Sequence, residues 1–598
     1  MNLRGLQRCS VTSIDRENAR KSCRMPLISV RFSSTLLQKP NVDFVTPEEA
    51  TKVMYKLTRV SRDNEDFNRR MSLSVESILA SVESLNPELM SRAVWCMISL
   101  DVSPQVILSL PIQEAIWGMD SHSITRLTHK LHRIVPANDV AIWDAVLGSV
   151  ISRLDKMTPV ELVTCCCSFA KAGFKTPLLY NRITSRFVQD ETSTENCWDI
   201  SSWKPRQVSL LIWCLSTSEC TNWNLMKFLI HRLPHLVLSS TDVACILSGL
   251  SRSNFILEDE LFALIPIKQI FSSSVHSLQT LCTTLHSIAR LGSLDDRLLL
   301  SHRSRGDVFP AGFWVTQDLV KFLTDEVLKH GPSLPLRALA MLTWSLAKLR
   351  IRYSPVFDLI SRIHFPEKNS VESRADMVTI ISSIAAVASN AHLAETAHSL
   401  LASTDWTAEE TSTCIHLLWS ISMMEGQSSR VSENELRMLD RLTATTTDRT
   451  DASMLFHYTL VRGIQGIEFP FGFASWKLTN MQWMHEQPYP STIESTVSRW
   501  LESIPSIQSV KNNAEIFPGI YTDILVDESV AIEVNGPSHY SFDLISGEMG
   551  LDTKSVRRNE LIAKRVKKVV NFSFADFSDM LALTESDRIS TLVKLISF

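Results

Sequence analysis

Trp344-Ser345-Leu346-Ala347-Lys348 decides the fold, because it is one copy of a pattern that returns along most of the chain. Related runs are Trp95-Cys96-Met97, Ser168-Phe169-Ala170-Lys171, Trp213-Cys214-Leu215-Ser216 and Gly249-Leu250-Ser251-Arg252. Three more are Ser287-Ile288-Ala289-Arg290, Ser383-Ile384-Ala385 and Trp419-Ser420-Ile421-Ser422. Aligned on their small residue, they fall at Cys96, Ser168, Cys214, Gly249, Ser287, Ser345, Ser383 and Ser420, with intervals of 72, 46, 35, 38, 58, 38 and 37. The 72 is two periods, split by a weak copy at Lys130-Leu131-His132. The 46 and the 58 are single periods with polar insertions around 190–203 and 301–318. A period near 37 with helical content implies paired helices stacked in an α-solenoid.

Local signals agree with helices. Asn86-Pro87 and Thr158-Pro159 each put a capping residue before a proline at the first helical position. Thr158 with Glu161, and Thr407 with Glu410, have capping-box spacing. After Ser333 and Pro335, the residues Leu339, Leu342, Leu346 and Leu349 recur on one helical face. The repeated small residue is expected where helix backbones approach closely. The recurring Trp95, Trp213, Trp344 and Trp419 read first as core packing and second as base-stacking platforms.

Composition sets the outer limits. The chain has 598 residues, too many for one core, and 44% are hydrophobic, ordinary for a globular protein. Only 17 are Gly, which argues against a turn-rich all-β fold. No apolar run is long enough to span a membrane. The 12 Cys include Cys165-Cys166-Cys167 but no CxxC, so they read as small, reduced core residues rather than a zinc site.

The formal charge of −4 by itself points to no nucleic-acid partner, but it is unevenly spread. Residues 1–40 carry eight Lys and Arg against Asp15 and Glu17, a net +6, which leaves −10 for the rest. An Arg-rich, Ser-containing, acid-poor leader reads as a mitochondrial transit peptide, with processing expected after Phe32 in Val30-Arg31-Phe32-Ser33-Ser34. A plastid-type leader shares this composition, and the plainer reading is a basic tail.

Near residue 490 the pattern changes. Ser491 and Glu494 cap a helix to about Ile504. Tyr521 to Val526 reads as a strand, Asp527-Glu528-Ser529 as a tight turn, and Val530 to Val534 as a second strand closed by Asn535-Gly536-Pro537. A basic helix over about 553–567, a third strand over 569–573 and a helix from Ala575 complete a small α/β domain. Lys554, Arg557, Arg558, Lys564, Arg565, Lys567 and Lys568 face a single acid, Glu560, in this stretch. Such a run suits phosphate contact by counterion release; the plainer reading is a solvated face. Tyr540 and Phe542 could stack unpaired bases or belong to the core.

The run Ala531-Ile532-Glu533-Val534-Asn535-Gly536-Pro537-Ser538-His539-Tyr540 resembles the signature of the RAP domain, an RNA-associated module of organellar proteins. The Asp523 strand and the Lys554…Arg557-Arg558 helix fit the same pattern, over about 518–580. The repeats are similar to those of octotricopeptide-repeat and FAST-kinase-like organellar proteins. The resemblance implies a restriction-endonuclease-like fold. In nucleases of that kind, carboxylates matching Asp523 and Glu533 hold Mg²⁺. Here the third position is Asn535, where RAP domains usually carry Asp and active nucleases often carry Lys. A degenerate site of Asp523, Glu533 and His539 is therefore expected, with no catalysis and no cofactor; Mg²⁺ enters only if the domain cleaves.

The expected organisation is a leader over 1–40, a helical repeat array over 41–430, connecting helices over 431–515 and a RAP domain over 516–598. The expected function is organellar RNA binding in the mitochondrial matrix, with ribosomal RNA and mitoribosomal proteins as partners, as ribosome component or assembly or stability factor. The expected RNA-binding residues are Lys554, Arg557, Arg558, Lys564, Arg565, Lys567, Lys568, His539 and Tyr540. The alternatives are a metal-dependent RNA endonuclease and a protein-interaction scaffold with a vestigial RAP domain.

Overall fold

The structure is a computed structural model. It describes residues 46–597 apart from 61–64, 188–199, 219–221, 254–260, 262–263, 272–275, 293–316, 364–369, 389, 405, 407–409, 426–430, 446–448, 463–490, 518–519 and 537–538. The leader, most of both polar insertions and the Thr407 cap lie outside the described residues. The chain is mainly helical, with 26 α-helices among the described residues and a small sheet region near the C-terminus. No helix among them is long and apolar enough to cross a membrane. Two compact units divide the chain, Met1–Val275 and His276–Phe598.

In the first unit five helices pack each on the next: α1 (Pro87–Ser99), α2 (Ser121–Leu131), α3 (Pro159–Ala172), α4 (Pro205–Thr217) and α5 (Ser240–Leu250). Their starts follow from capping. Asn86 accepts a hydrogen bond from the Leu89 amide at 2.8 Å, ahead of Pro87. Thr158 with Glu161, and Ser239 with Asp242, form capping boxes. Helices Val140–Ser152, Pro177–Phe187 and Trp223–Arg232 lie between them in sequence and form a second row. The second unit repeats the ladder with α6 (Leu278–Gly292), α7 (Leu336–Lys348), α8 (Val371–Val387), α9 (Thr411–Glu425) and α10 (Arg449–Val461).

Each of the eight aligned small residues lies on one of these ladder helices and is buried. Gly249 shows why they are small: a Cβ there would stand 2.8 Å from the Cα of Trp213 on the preceding ladder helix. The four repeated tryptophans are only half-buried. The aromatic core is built from others, such as Trp143, whose ring lies 5.6 Å from Phe169 and 6.0 Å from Phe174. The repeated tryptophans therefore pack on one side only, because each stands one residue before the buried position, at the rim of the contact. Cys165 faces Thr125 on α2, while Cys167 lies 3.3 Å from Cys214 on α4. Among the described residues no group of three or more His, Cys, Asp or Glu is placed to hold a metal.

The C-terminal layers follow within the second unit. Strands β2 (Val510–Phe517), β3 (Ile520–Val526), β4 (Val530–Asn535) and β7 (Lys568–Ser573) form one sheet in the order β2-β3-β4-β7. The first two pairings are antiparallel and β4 runs parallel to β7. Asp527 and Glu528 join β3 to β4 with φ of 48° and 52°, the left-handed pair of a tight hairpin turn. Helices α11 (Thr492–Glu502), α13 (Phe574–Ala582) and α14 (Glu585–Ile596) cover one face around Leu501, Ile524, Ile532, Phe572 and Leu592. On the other face Ala531 and Ile562 pack with Leu460 of α10. The sheet thus begins upstream of residue 516, with β2 at Val510, and α11 before it packs on that sheet. Helix α12 (Thr553–Ile562) is shorter than the sequence suggested. The chain leaves it after Ile562, and Lys564–Lys567 form a turn into β7.

A second sheet joins the two kinds of structure. Ile351–Arg352 (β1), directly after α7, pairs in parallel with β5 (Tyr540–Asp543), which pairs with β6 (Met549–Leu551).

Candidate nucleic-acid interface

The motif residues converge at the end of the four-stranded sheet. Asp523 on β3 and Glu533 on β4 both face Arg558 of α12. The guanidinium Nη2 lies 3.6 Å from Asp523 and 3.2 Å from Glu533, and it donates to the Tyr521 carbonyl at 2.6 Å. The Val534 amide donates to Asp523 at 2.8 Å. Glu533 is 1% exposed, and its Oε1 has no hydrogen-bond partner among the described residues. Burial and the neighbouring Glu533 push the Asp523 carboxyl up to about 7, against the pull of Arg558. Burial likewise raises Glu533.

The remaining motif positions turn elsewhere. Asn535 donates to Asn571 at 2.9 Å, and Asn559 donates to the same oxygen at 2.7 Å. His539 sits 3.1 Å from the Ser555 hydroxyl, and its imidazole is held below its usual range, first by burial. Tyr540 opens β5 half-buried, while Phe542 is buried opposite Ile351. A divalent cation does not fit these residues. Arg558 already supplies a fixed positive charge between the two carboxylates, and Asn535 is committed to Asn571.

No protein-family model matches this sequence, and no curated protein matches it. The site therefore stands on its own geometry.

That geometry divides the basic run. Arg557 turns inward: its Nε and Nη2 donate to the carbonyls of Met423 and Met424 on α9, at 2.9 and 3.1 Å, and Nη1 pairs with Glu560. Arg558 is the ion-pair centre just described. Lys554 keeps exposed surface, but its ammonium is crowded by protein, which lowers its pKa, as do Arg558 and Arg350. Lys568 is half-buried in β7, where its ammonium donates to the Ser597 carbonyl. Lys564, Arg565 and Lys567 are exposed on the turn after α12, and the Arg565 guanidinium lies 4.9 Å from the ring centre of Phe517.

Sequence reading missed the residues that dock this layer on the helices. Arg350 reaches Asp552 at 3.4 Å. Arg352 donates to the Ser541 hydroxyl at 2.6 Å and to the Leu551 carbonyl at 3.1 Å. Gly550 makes room for it, since a Cβ there would stand 2.6 Å from Arg352 Nη2. The one available signal was the contrast between two arginines and the apolar helix before them.

Proposed function

We propose that this chain is an organellar RNA-binding protein of the RAP-domain kind, with a solenoid of helical-hairpin repeats as its body. The observation that carries the reading is the exposed Lys564-Arg565-Lys567 turn with Phe517 beneath Arg565. Three exposed cations, one of them over an aromatic ring, offer phosphate contacts and a stacking surface to an unpaired nucleotide. The motif residues from Ala531 to Tyr540 support the family reading, and the basic leader over 1–40 supports mitochondrial import. Ribosomal RNA is the favoured target, with the protein acting as a component or an assembly or stability factor of the organellar ribosome.

The domain binds rather than cleaves in this reading. A guanidinium between Asp523 and Glu533 neutralises the charge that would attract Mg²⁺, so the pair ties α12 to the sheet.

Crosslinking in cells tests the proposal. Wild type should enrich organellar RNA, and the triple variant Lys564→Glu, Arg565→Glu, Lys567→Glu should lose most of it while keeping its fold. Absence of RNA from wild type would leave the scaffold reading in front.

A further inference from the structure

The half-exposed row one residue before the aligned small residues carries Trp95, Trp213, Trp344 and Trp419, but on α3 it carries Cys167. Cys167 is therefore partly open to solvent, whereas Cys214, the aligned small residue of the next ladder helix α4, is buried. Both are free thiols. Their sulfurs lie 3.3 Å apart, with the Cys214 thiol donating to Cys167. A disulfide holds its sulfurs about 2.05 Å apart, so the gap closes by roughly 1.3 Å, shared between two side chains.

The surroundings give the two sulfurs different roles. The hydrogen bond from Cys214 draws the Cys167 thiol below its usual range, against burial, and the charges of Lys171 and Arg206 add to the pull. Lys171 stands one turn further along α3 and is exposed, while Arg206 on α4 also faces Asp242 at 3.6 Å. Cys214 is pushed up, first by burial and then by its bond to Cys167. The thiolate is the nucleophile in sulfur chemistry, and reactive cysteines sit in partly exposed, electropositive places. Other thiols of the chain lack such a setting. Burial pushes Cys96, Cys165 and Cys414 up to about 12, and Cys245 and Cys282 up to about 11. Cys245 on α5 turns its thiol to the Ser209 carbonyl, at 3.8 Å.

We propose that Cys167 and Cys214 are a peroxide-sensitive pair whose disulfide staples α3 to α4. The Cys167 thiolate attacks one oxygen of a hydroperoxide. The O–O bond breaks, the sulfur becomes a sulfenic acid, and the second oxygen leaves as water or an alcohol with a proton from solvent. The Cys214 sulfur then attacks the Cys167 sulfur. The S–S bond forms, the S–O bond breaks, and hydroxide leaves as water with the Cys214 proton. Two electrons pass from the thiols to the peroxide, and a dithiol returns them on reduction. The crosslink joins positions 47 apart in sequence and ties two neighbouring rungs of the ladder, so it opposes their separation. This chemistry is independent of RNA binding.

The test uses the full chain, reduced with dithiothreitol, desalted, titrated with hydrogen peroxide and digested without reduction for mass spectrometry. Wild type should give a crosslinked peptide pair lighter by two hydrogens than its parts, with fragment ions placing the bond at Cys167 and Cys214. Dithiothreitol should release it. Cys214→Ser should strand Cys167 as a sulfenic acid that dimedone labels, and Cys167→Ser should leave Cys214 reduced at the same peroxide dose. Cys245→Ser should keep the crosslink. In the oxidised wild type, amide exchange in α3 and α4 should slow by about 10-fold or more, with α7 and α8 unchanged. Because the first measurement needs wild type alone, a variant that fails to fold does not blunt it. Linkage of Cys167 to Cys166 or Cys245, oxidation of Cys96 and Cys282 before it, or a Cys167 that stays reduced throughout would overturn the pair. A crosslink that leaves exchange in α3 and α4 unchanged would overturn the stapling.

Discussion

Arg558 is the residue on which the C-terminal layer turns. It sits in a run of basic residues expected to meet RNA phosphates, yet its guanidinium bridges two strands and the Tyr521 carbonyl. Asp523 and Glu533 were legible because a strand-borne acid pair followed by Asn-Gly-Pro-Ser-His is a specific signal. The direction of Arg558 was not, since a helix of ten residues offers no periodicity to tell an inward arginine from an outward one. The Asp523 carboxyl gives a pH prediction. In the fold it keeps its proton up to about pH 7, whereas an unfolded aspartate releases it near about 4. The folded chain binds more protons across that window, so stability falls as pH rises through it. Asp523→Asn removes this contribution. Melting temperatures between pH 5 and pH 8 should therefore decline more for wild type than for the variant, and parallel declines would contradict the account.

At the scale of elements, the ladder helices were the most legible part of the chain. Their small residues recur because a backbone stands against each one, and a recurring steric need leaves a recurring residue. Gly249 is the sharpest case. Gly249→Val should cost about 2 kcal/mol by overpacking against Trp213, seen as a lower urea midpoint. Ser248→Val, one residue away on the half-exposed row, should stay within about 0.5 kcal/mol. Equal effects at both positions would mean that the helices can part without cost. Strands β1, β5 and β6 were illegible for the opposite reason. A strand of two to four residues is shorter than any alternation that could announce it, and what fixes these strands is a partner far away in sequence.

The second unit of the molecule is held together by arginines that reach between the helices and the sheet. Arg557 is one of them, with two charge-assisted bonds to the α9 carbonyls. Bonds of this kind contribute about 1.5–3 kcal/mol each, so Arg557→Ala should loosen the docking by about 3 kcal/mol. Hydrogen exchange should quicken in α12, β5 and β6, while amides of the β2-β3-β4-β7 sheet keep their protection. Unchanged exchange in α12 would show that β1 alone suffices. Strand β1 also bears on how the chain is made. Arg352 leaves the ribosome 189 residues before its partner Ser541. At ordinary translation rates of about 5–20 residues per second, that edge waits roughly 10–40 s for its complement. Two residues are too short a template for a neighbouring chain to extend, so the nascent protein can keep the joint open until β5 and β6 arrive.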